Sequence, residues 1–218
     1  MISYESVTYS QPSSTLDTTC RLIQHHTINE EMIIEDEIYK DIDFTQERLQ
    51  AGEYENCKFI NCDFSNSDIS GIKFIECEFQ GCNLSMVSMN QTVFNNVKFI
   101  DTKMLGLHFE NCNNLMLSVG FYECTLNHSS FYRVDLRNTV FDKTKLVDAD
   151  FTESDLSKSV LKDCDFSNAT FAHTNLEKTN FTSSYNYIID PEHNRVRKAK
   201  FDYPGVLGLL AQYDIEVI

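Results

Sequence analysis

Counting in fives from Phe44 meets an apolar residue every time, through Tyr54, Phe59, Phe74 and Phe99 to Phe109. The frame then slips by two residues, resumes at Phe121 and runs to Phe181. All 27 positions of the two frames are apolar in a chain that is 42% hydrophobic, which chance would give with odds on the order of 10⁻¹⁰. Fifteen of the sixteen Phe occupy these centres, and only Phe201 lies elsewhere. Two residues before each centre the side chain is small in 23 of 27 cases, as at Cys57, Ser67, Thr92 and Ala149; the exceptions are Ile42, Glu47, Ile72 and Leu107. A polar residue, often Asp or Asn, stands between slot and centre. A helix repeats its apolar face every 3.6 residues and a strand every 2, so neither gives a period of five. The pattern predicts a short straight segment, a corner and another segment, each burying one large and one small side chain. Units that bury their inward residues only against their neighbours form a solenoid.

The unit is plainest in CDFSN (62–66), SDISG (67–71), VDLRN (134–138), ADFTE (149–153), SDLSK (154–158) and CDFSN (164–168). It resembles the pentapeptide-repeat family over about 42–183. The resemblance implies an all-β solenoid, a right-handed quadrilateral β-helix with four pentapeptides per coil. Residues twenty apart should then stack, and like meets like: Phe59, Phe79 and Phe99; Phe131, Phe151 and Phe171; Leu136, Leu156 and Leu176.

Seven of the eight Cys, namely Cys57, Cys62, Cys77, Cys82, Cys112, Cys124 and Cys164, fall in the small inward slot. There they read as fillers of small holes beside Phe. The spacing C-x₄-C puts neighbouring thiols on different faces, so neither a zinc site nor a disulfide framework is expected, and a reducing cytoplasm fits. The histidines are scattered: His108 precedes a centre, and His128 and His173 lie at corners, all outward; His25, His26 and His193 lie outside the repeats. There is no nucleophile–base pair, no HExxH and no Gly-rich phosphate loop, so no catalytic residue, cofactor or metal is expected. The slip at about 110–120 reads as a bulge between two stacks, or as a presented recognition loop on a rigid scaffold.

Residues 1–31 show no repeat and read as an extension with a Ser/Thr/Gln-rich stretch. Residues 33–44 carry apolar positions suited to covering the first coil, whose strand edges would otherwise be open. The repeat domain is thus expected over 32–183 and a C-terminal cap over 184–218. A short α-helix is expected from Pro204 to Tyr213, with Asp202 as a cap and Pro in its first turn. Val206, Leu209, Leu210 and Tyr213 at i, i+3, i+4 and i+7 make one apolar stripe, which either caps the last coil or pairs two copies. A helix followed by a short apolar tail is similar to the end of Qnr-type quinolone-resistance proteins, as is DTKMLGLHFENC (101–112) just before the slip. That resemblance implies a homodimer through the C-terminal helix.

The chain carries 33 acidic and 18 basic residues, a net charge of −15, so direct nucleic-acid binding is not expected. No apolar run is long enough to span a membrane. Qnr-type relatives bind type II topoisomerases such as gyrase by mimicking DNA, and the resemblance implies that partner here. Residues 44–181 hold 19 acidic and 12 basic residues, net −7, on a stack roughly 33 Å long. Duplex DNA of that length carries about 20 charges, roughly three times the density. Acids cluster late, at Asp135, Asp148, Asp150, Glu153 and Asp155, which makes these the candidate partner-binding residues. Such acidity equally suits a solubilised surface. The competing reading is a scaffold with another protein partner.

Overall fold

The computed structural model describes residues 32–213 and 215–216; expectations for residues 1–31 and for the last two residues lie outside these. The described chain is a parallel β-solenoid. Four short strands, β1 (Ile33–Glu35), β3 (Glu53–Glu55), β5 (Lys73–Ile75) and β7 (Val93–Asn95), stack into one sheet. Seven others form the second: β2 (Ile38–Lys40), β4 (Lys58–Ile60), β6 (Glu78–Gln80), β8 (Val97–Ile100), β9 (Val119–Tyr122), β10 (Val140–Asp142) and β11 (Val160–Lys162). Every pairing is parallel with a twenty-residue register, as in Phe59↔Phe79 and Phe79↔Phe99; across the slip it becomes twenty-two, Phe99↔Phe121. Two further faces are laddered by single bridges such as Asp63↔Asn83 and Ser130↔Asp150.

The centres fill the interior. Phe59, Phe79, Phe99, Phe121 and Phe141 are fully buried. Rings one coil apart lie nearly parallel, Phe131 on Phe151 at 5.0 Å and 3°, Phe151 on Phe171 at 5.2 Å and 6°. Rings on adjacent faces meet edge-on, Phe59 to Phe74 at 81° and Phe109 to Phe121 at 88°. Each ring therefore offers its face to its copy and its edge to its neighbour, both favoured aromatic geometries.

The slot residue is selected for more than size. Its side chain donates to the carbonyl of a centre one coil earlier: Thr92 to Ile69 at 2.9 Å, Thr179 to Leu156 at 2.6 Å, Cys77 to Tyr54 at 3.1 Å. The offset is twenty-three residues, and it becomes twenty-five where the slip intervenes, Ser129 to Met104 at 3.0 Å. A buried hydroxyl or thiol is thereby satisfied without leaving the interior. The polar residue before each centre has its own task. Its side-chain oxygen accepts the N–H two residues on, as at Asp63, Asp150 and Asn180. This Asx turn starts the corner. The corner residue two past the centre then takes a left-handed backbone, at Asn56 (φ 50°), Lys143 (φ 50°) and Lys178 (φ 62°). Non-glycine residues hold that strained region because their N–H bonds the coil above, Lys178 N–H to Arg197 O at 3.0 Å for instance.

The two-residue slip is absorbed on one face, which we term the Glu53 face because β1, β3, β5 and β7 form its first half. Asn113 N–H bonds Thr92 O and Ser118 N–H bonds Phe94 O, both within 3.0 Å, while the chain between them leaves the stack. Leu115 at its tip is 96% exposed and Met116 is exposed beside it; Leu117 turns back onto the core.

The C-terminal end departs from expectation twice. The stack does not stop near residue 183. Asn175↔Arg195 and Asn180↔Lys200 continue the ladders, and Phe201, four pentads beyond Phe181 and again on the period, stacks on it at 5.1 Å and 15°. The period is lost because Asn186 occupies the next centre and Tyr187 fills the interior instead. The expected α-helix is replaced by two 3₁₀ turns, Gly205–Leu209 and Ala211–Tyr213. Gly205 and Gly208 press on Tyr187: a Cβ on either would fall 1.9 Å from its hydroxyl oxygen or 2.1 Å from its carbonyl oxygen, respectively. Residues three apart eclipse in a 3₁₀ turn, so this geometry lays both glycines on one ring.

Candidate partner-binding surfaces

The acidic residues put forward from the sequence do not share a face. They surround one region of the stack. Asp148 is a corner residue, Asp150 lies in the ladder of Ser130 and Thr170, and Glu153 is the next corner. Asp135 and Asp155 pair with each other on the Glu53 face. Most are also engaged. Asp135, Asp150 and Asp155 accept the Asx-turn N–H of Arg137, Thr152 and Ser157 at 2.8–3.1 Å. Arg137 chelates Asp135 through two nitrogens, and its guanidinium holds that carboxyl below the usual carboxylate range. Arg133 bonds Glu153 at 2.6 Å and likewise lowers it, while its guanidinium lies 4.8 Å from the Tyr132 ring centroid. His128 lies 3.5 Å from Asp148. Arg137 sits two residues from Asp135, whereas Arg133 and His128 reach Glu153 and Asp148 from one coil away, twenty residues back, a pairing that linear spacing hides.

A second acidic region lies at the other end. On the Glu53 face, Glu35 stacks on Glu55, Glu53 shares the strand of Glu55 and lies 3.4 Å from Lys73 of the next coil, and Glu76 holds the corner of that coil. Glu53 shares a hydrogen bond with Glu55 and, with the surrounding carboxylates, raises the Glu55 pKa. A twenty-residue register is the signal that would have found this group.

The C-terminal stripe is divided. Leu209 packs against the core, Leu210 is half-buried, and Val206 and Tyr213 are exposed. Tyr213 donates its hydroxyl to Glu192 at 3.0 Å. Tyr203 (90% exposed), Leu207 and Ile215 widen the uncovered apolar surface of this end. The histidines at 108, 128 and 173 are exposed. The seven described thiols are buried and free, and burial pushes Cys124 and Cys164 up to about 11, so they stay protonated and poorly nucleophilic.

A family model described as a pentapeptide repeat region matches residues 53–114 and 103–181, more than half of the chain. The chain belongs to the pentapeptide-repeat family. Among solved structures this pentapeptide-repeat protein is similar to full-length QnrB1, a plasmid-mediated fluoroquinolone resistance protein, with 19% identity and a TM-score of 0.56 over 84% of this chain and 100% of that one. Two trypsin-treated QnrB1 variants give 20% and 21% identity, TM-scores of 0.56 and 0.58, over 86% and 84% of this chain and 100% and 99% of theirs. No curated protein sequence matches. Among the described residues no group of His, Cys, Asp and Glu is arranged to hold a metal, and no helix is long and apolar enough to cross a membrane.

Proposed function

We propose that this pentapeptide-repeat protein is a non-catalytic cytoplasmic binding protein whose outer faces dock on a macromolecular partner, a type II topoisomerase such as gyrase. The observation that carries the reading is the likeness to QnrB1, which runs nearly the full length of both chains. In this reading the protein stands in for DNA, presenting carboxylates on a rigid frame to a basic groove. Glu35, Glu53, Glu55 and Glu76 add a second carboxylate cluster to the expected Asp135, Asp148, Asp150, Glu153 and Asp155; local cations partly satisfy both, Lys73 lying 3.4 Å from Glu53. Two copies would pair through the exposed apolar C-terminal end, where Val206 and Leu207 are the test positions.

The test is gyrase supercoiling with and without a fluoroquinolone while the protein is titrated in. Protection from the drug, or inhibition at micromolar protein, is expected. Asp150→Asn and Asp155→Asn keep the turn acceptor and remove the charge, so a weakened effect would report charge alone. No effect of the wild type on either activity refutes the topoisomerase reading. The neutralisation of Asp135 and Glu153 by Arg137 and Arg133 favours a second reading, a scaffold that binds a different protein.

A further inference from the structure

The Glu53 face changes sign along its length. Before the bulge it carries four levels, centred on Ile34, Tyr54, Phe74 and Phe94. After the bulge it carries four more, centred on Leu136, Leu156, Leu176 and Val196. The exposed Leu115 and Met116 stand midway. The first half holds Glu35, Glu53 and Glu55, with Asp36 and Glu76 in its corner column; Lys73 on the same face lies 3.4 Å from Glu53, and the half stays net negative. In the second half Lys158, Lys178 and Lys198 occupy successive levels of the same corner column, with φ near 60°. All three are exposed, and among the described residues none is ion-paired. Arg197 projects beside them. The same half also carries Asp135, Asp155 and Glu177, of which Asp135 and Glu177 are held by Arg137 and Arg195, so the three lysines and Arg197 leave it net positive.

We propose that the Glu53 face is a self-association surface on which a second copy of this chain lies antiparallel, with the two-fold axis passing through the Leu115 bulge. A two-fold axis across the face reverses the order of levels and keeps each column opposite itself. Four levels on either side then bring Asp36 opposite Lys198, Glu76 opposite Lys158 and Glu35 opposite Arg197, each pair occurring twice. Asn56 meets Lys178. The like-charge meeting, Glu55 against Glu177, is softened because Glu177 is already bonded by Arg195 at 2.8 Å. Leu115 and Met116 meet their own copies at the axis, an apolar centre within a charged rim. Relief of the acidic stack on one copy and of the lysine column on the other is the driving force. With strands about 4.8 Å apart the face is roughly 40 Å long, and its burial falls in the class of weak, transient interfaces. Association is therefore expected at tens of micromolar protein and low salt, and it weakens as the Debye length shrinks toward about 3 Å at 1 M.

The experiment uses two charge-swapped full-length chains, followed by sedimentation velocity and native mass spectrometry. In one, Lys158→Glu, Lys178→Glu and Lys198→Glu make the face acidic throughout. In the other, Glu35→Lys, Asp36→Lys and Glu76→Lys make it basic throughout. Circular dichroism confirms that each is folded. Each alone should lose the salt-sensitive dimer, and a 1:1 mixture should form a heterodimer tighter than the wild-type pair by at least tenfold. Leu115→Asp should weaken the wild-type pair. Failure of the mixture to form heterodimer overturns the proposal. So does a wild-type dimer indifferent to salt and to both swaps. If Val206→Asp with Leu207→Asp abolishes that dimer, the end surface alone pairs the chain.

Discussion

The core argument can be tested at Phe151. Its ring stacks on Phe131 below and Phe171 above, and meets Phe141 and Phe166 edge-on. It is fully buried. Replacing it with Ala empties on the order of 80 Å³, which at ~24 cal/mol per Å³ is about 2 kcal/mol of cavity cost. Lost transfer of the ring adds about 2 kcal/mol, for a total of about 4 kcal/mol. The same change at Phe44 should cost about half as much, ~2 kcal/mol, because a residue near the end of a solenoid has one stacking neighbour and its site can relax. Phe44 stacks on Phe64 at 4.5 Å, and is 7% exposed. Urea denaturation followed by circular dichroism gives both values, and a thermal shift of ~2–4 °C per kcal/mol gives an independent reading for a domain of this size. A Phe151→Ala variant within about 1 kcal/mol of wild type would refute the inward stacked column. Equal losses at Phe44 and Phe151 would refute the nearest-neighbour account of the stack.

Thr179→Val keeps shape but removes the donor to Leu156 O, and should cost about 1 kcal/mol by urea denaturation, with Thr179→Ser restoring most of it. Gln91→Asn relieves a side chain held at φ 58° and should stabilise by a few tenths of a kcal/mol up to about 1 kcal/mol; destabilisation would show that the corner strain is already spent elsewhere. Asp135 should titrate below the ordinary carboxylate value in an NMR pH series, and Arg137→Gln should raise it toward normal. Because the folded value is depressed, this pair contributes to stability above the unfolded carboxylate pKa of about 3.9 and the contribution fades as pH falls through the folded value. Gly208→Ala drives a Cβ against the Tyr187 carbonyl and should displace the C-terminal turns, at about 1–3 kcal/mol, with faster proteolysis after residue 200 as the readout.

Period, slot and centre were legible from residue spacing alone, because each coil repeats the same burial problem and solves it with the same side chains. The inward Phe columns, the buried Cys and the outward His all follow from that spacing. The lapse of the period after Phe181 was legible as well, but not its meaning: Tyr187 and Ile189 fill the interior off the beat before Val196 and Phe201 return to it, so the stack outlasts the unbroken pattern. The slot showed itself as small, whereas its hydrogen bond to a carbonyl twenty-three residues earlier exists only once coils are superposed. The Asp or Asn before each centre looked like surface charge, and the fold turns many of these side chains inward on their own corners as Asx acceptors. Asp135, Asp150 and Asp155 each accept such an N–H and keep their charge.

What the sequence by itself determined is the one-dimensional lattice: which residues point inward, which outward, and where the lattice slips. Only the tertiary structure decided which outward residues are neighbours. Lys158, Lys178 and Lys198 are far apart along the chain and adjacent on the surface, as are Glu35, Glu55 and Glu76. The reason is geometric. A coil of about twenty residues brings residues to within one strand spacing of those a full turn away, and Coulomb interaction follows distance through space rather than along the chain. The sign change along the Glu53 face, with an apolar bulge at its middle, is a property of that stacking.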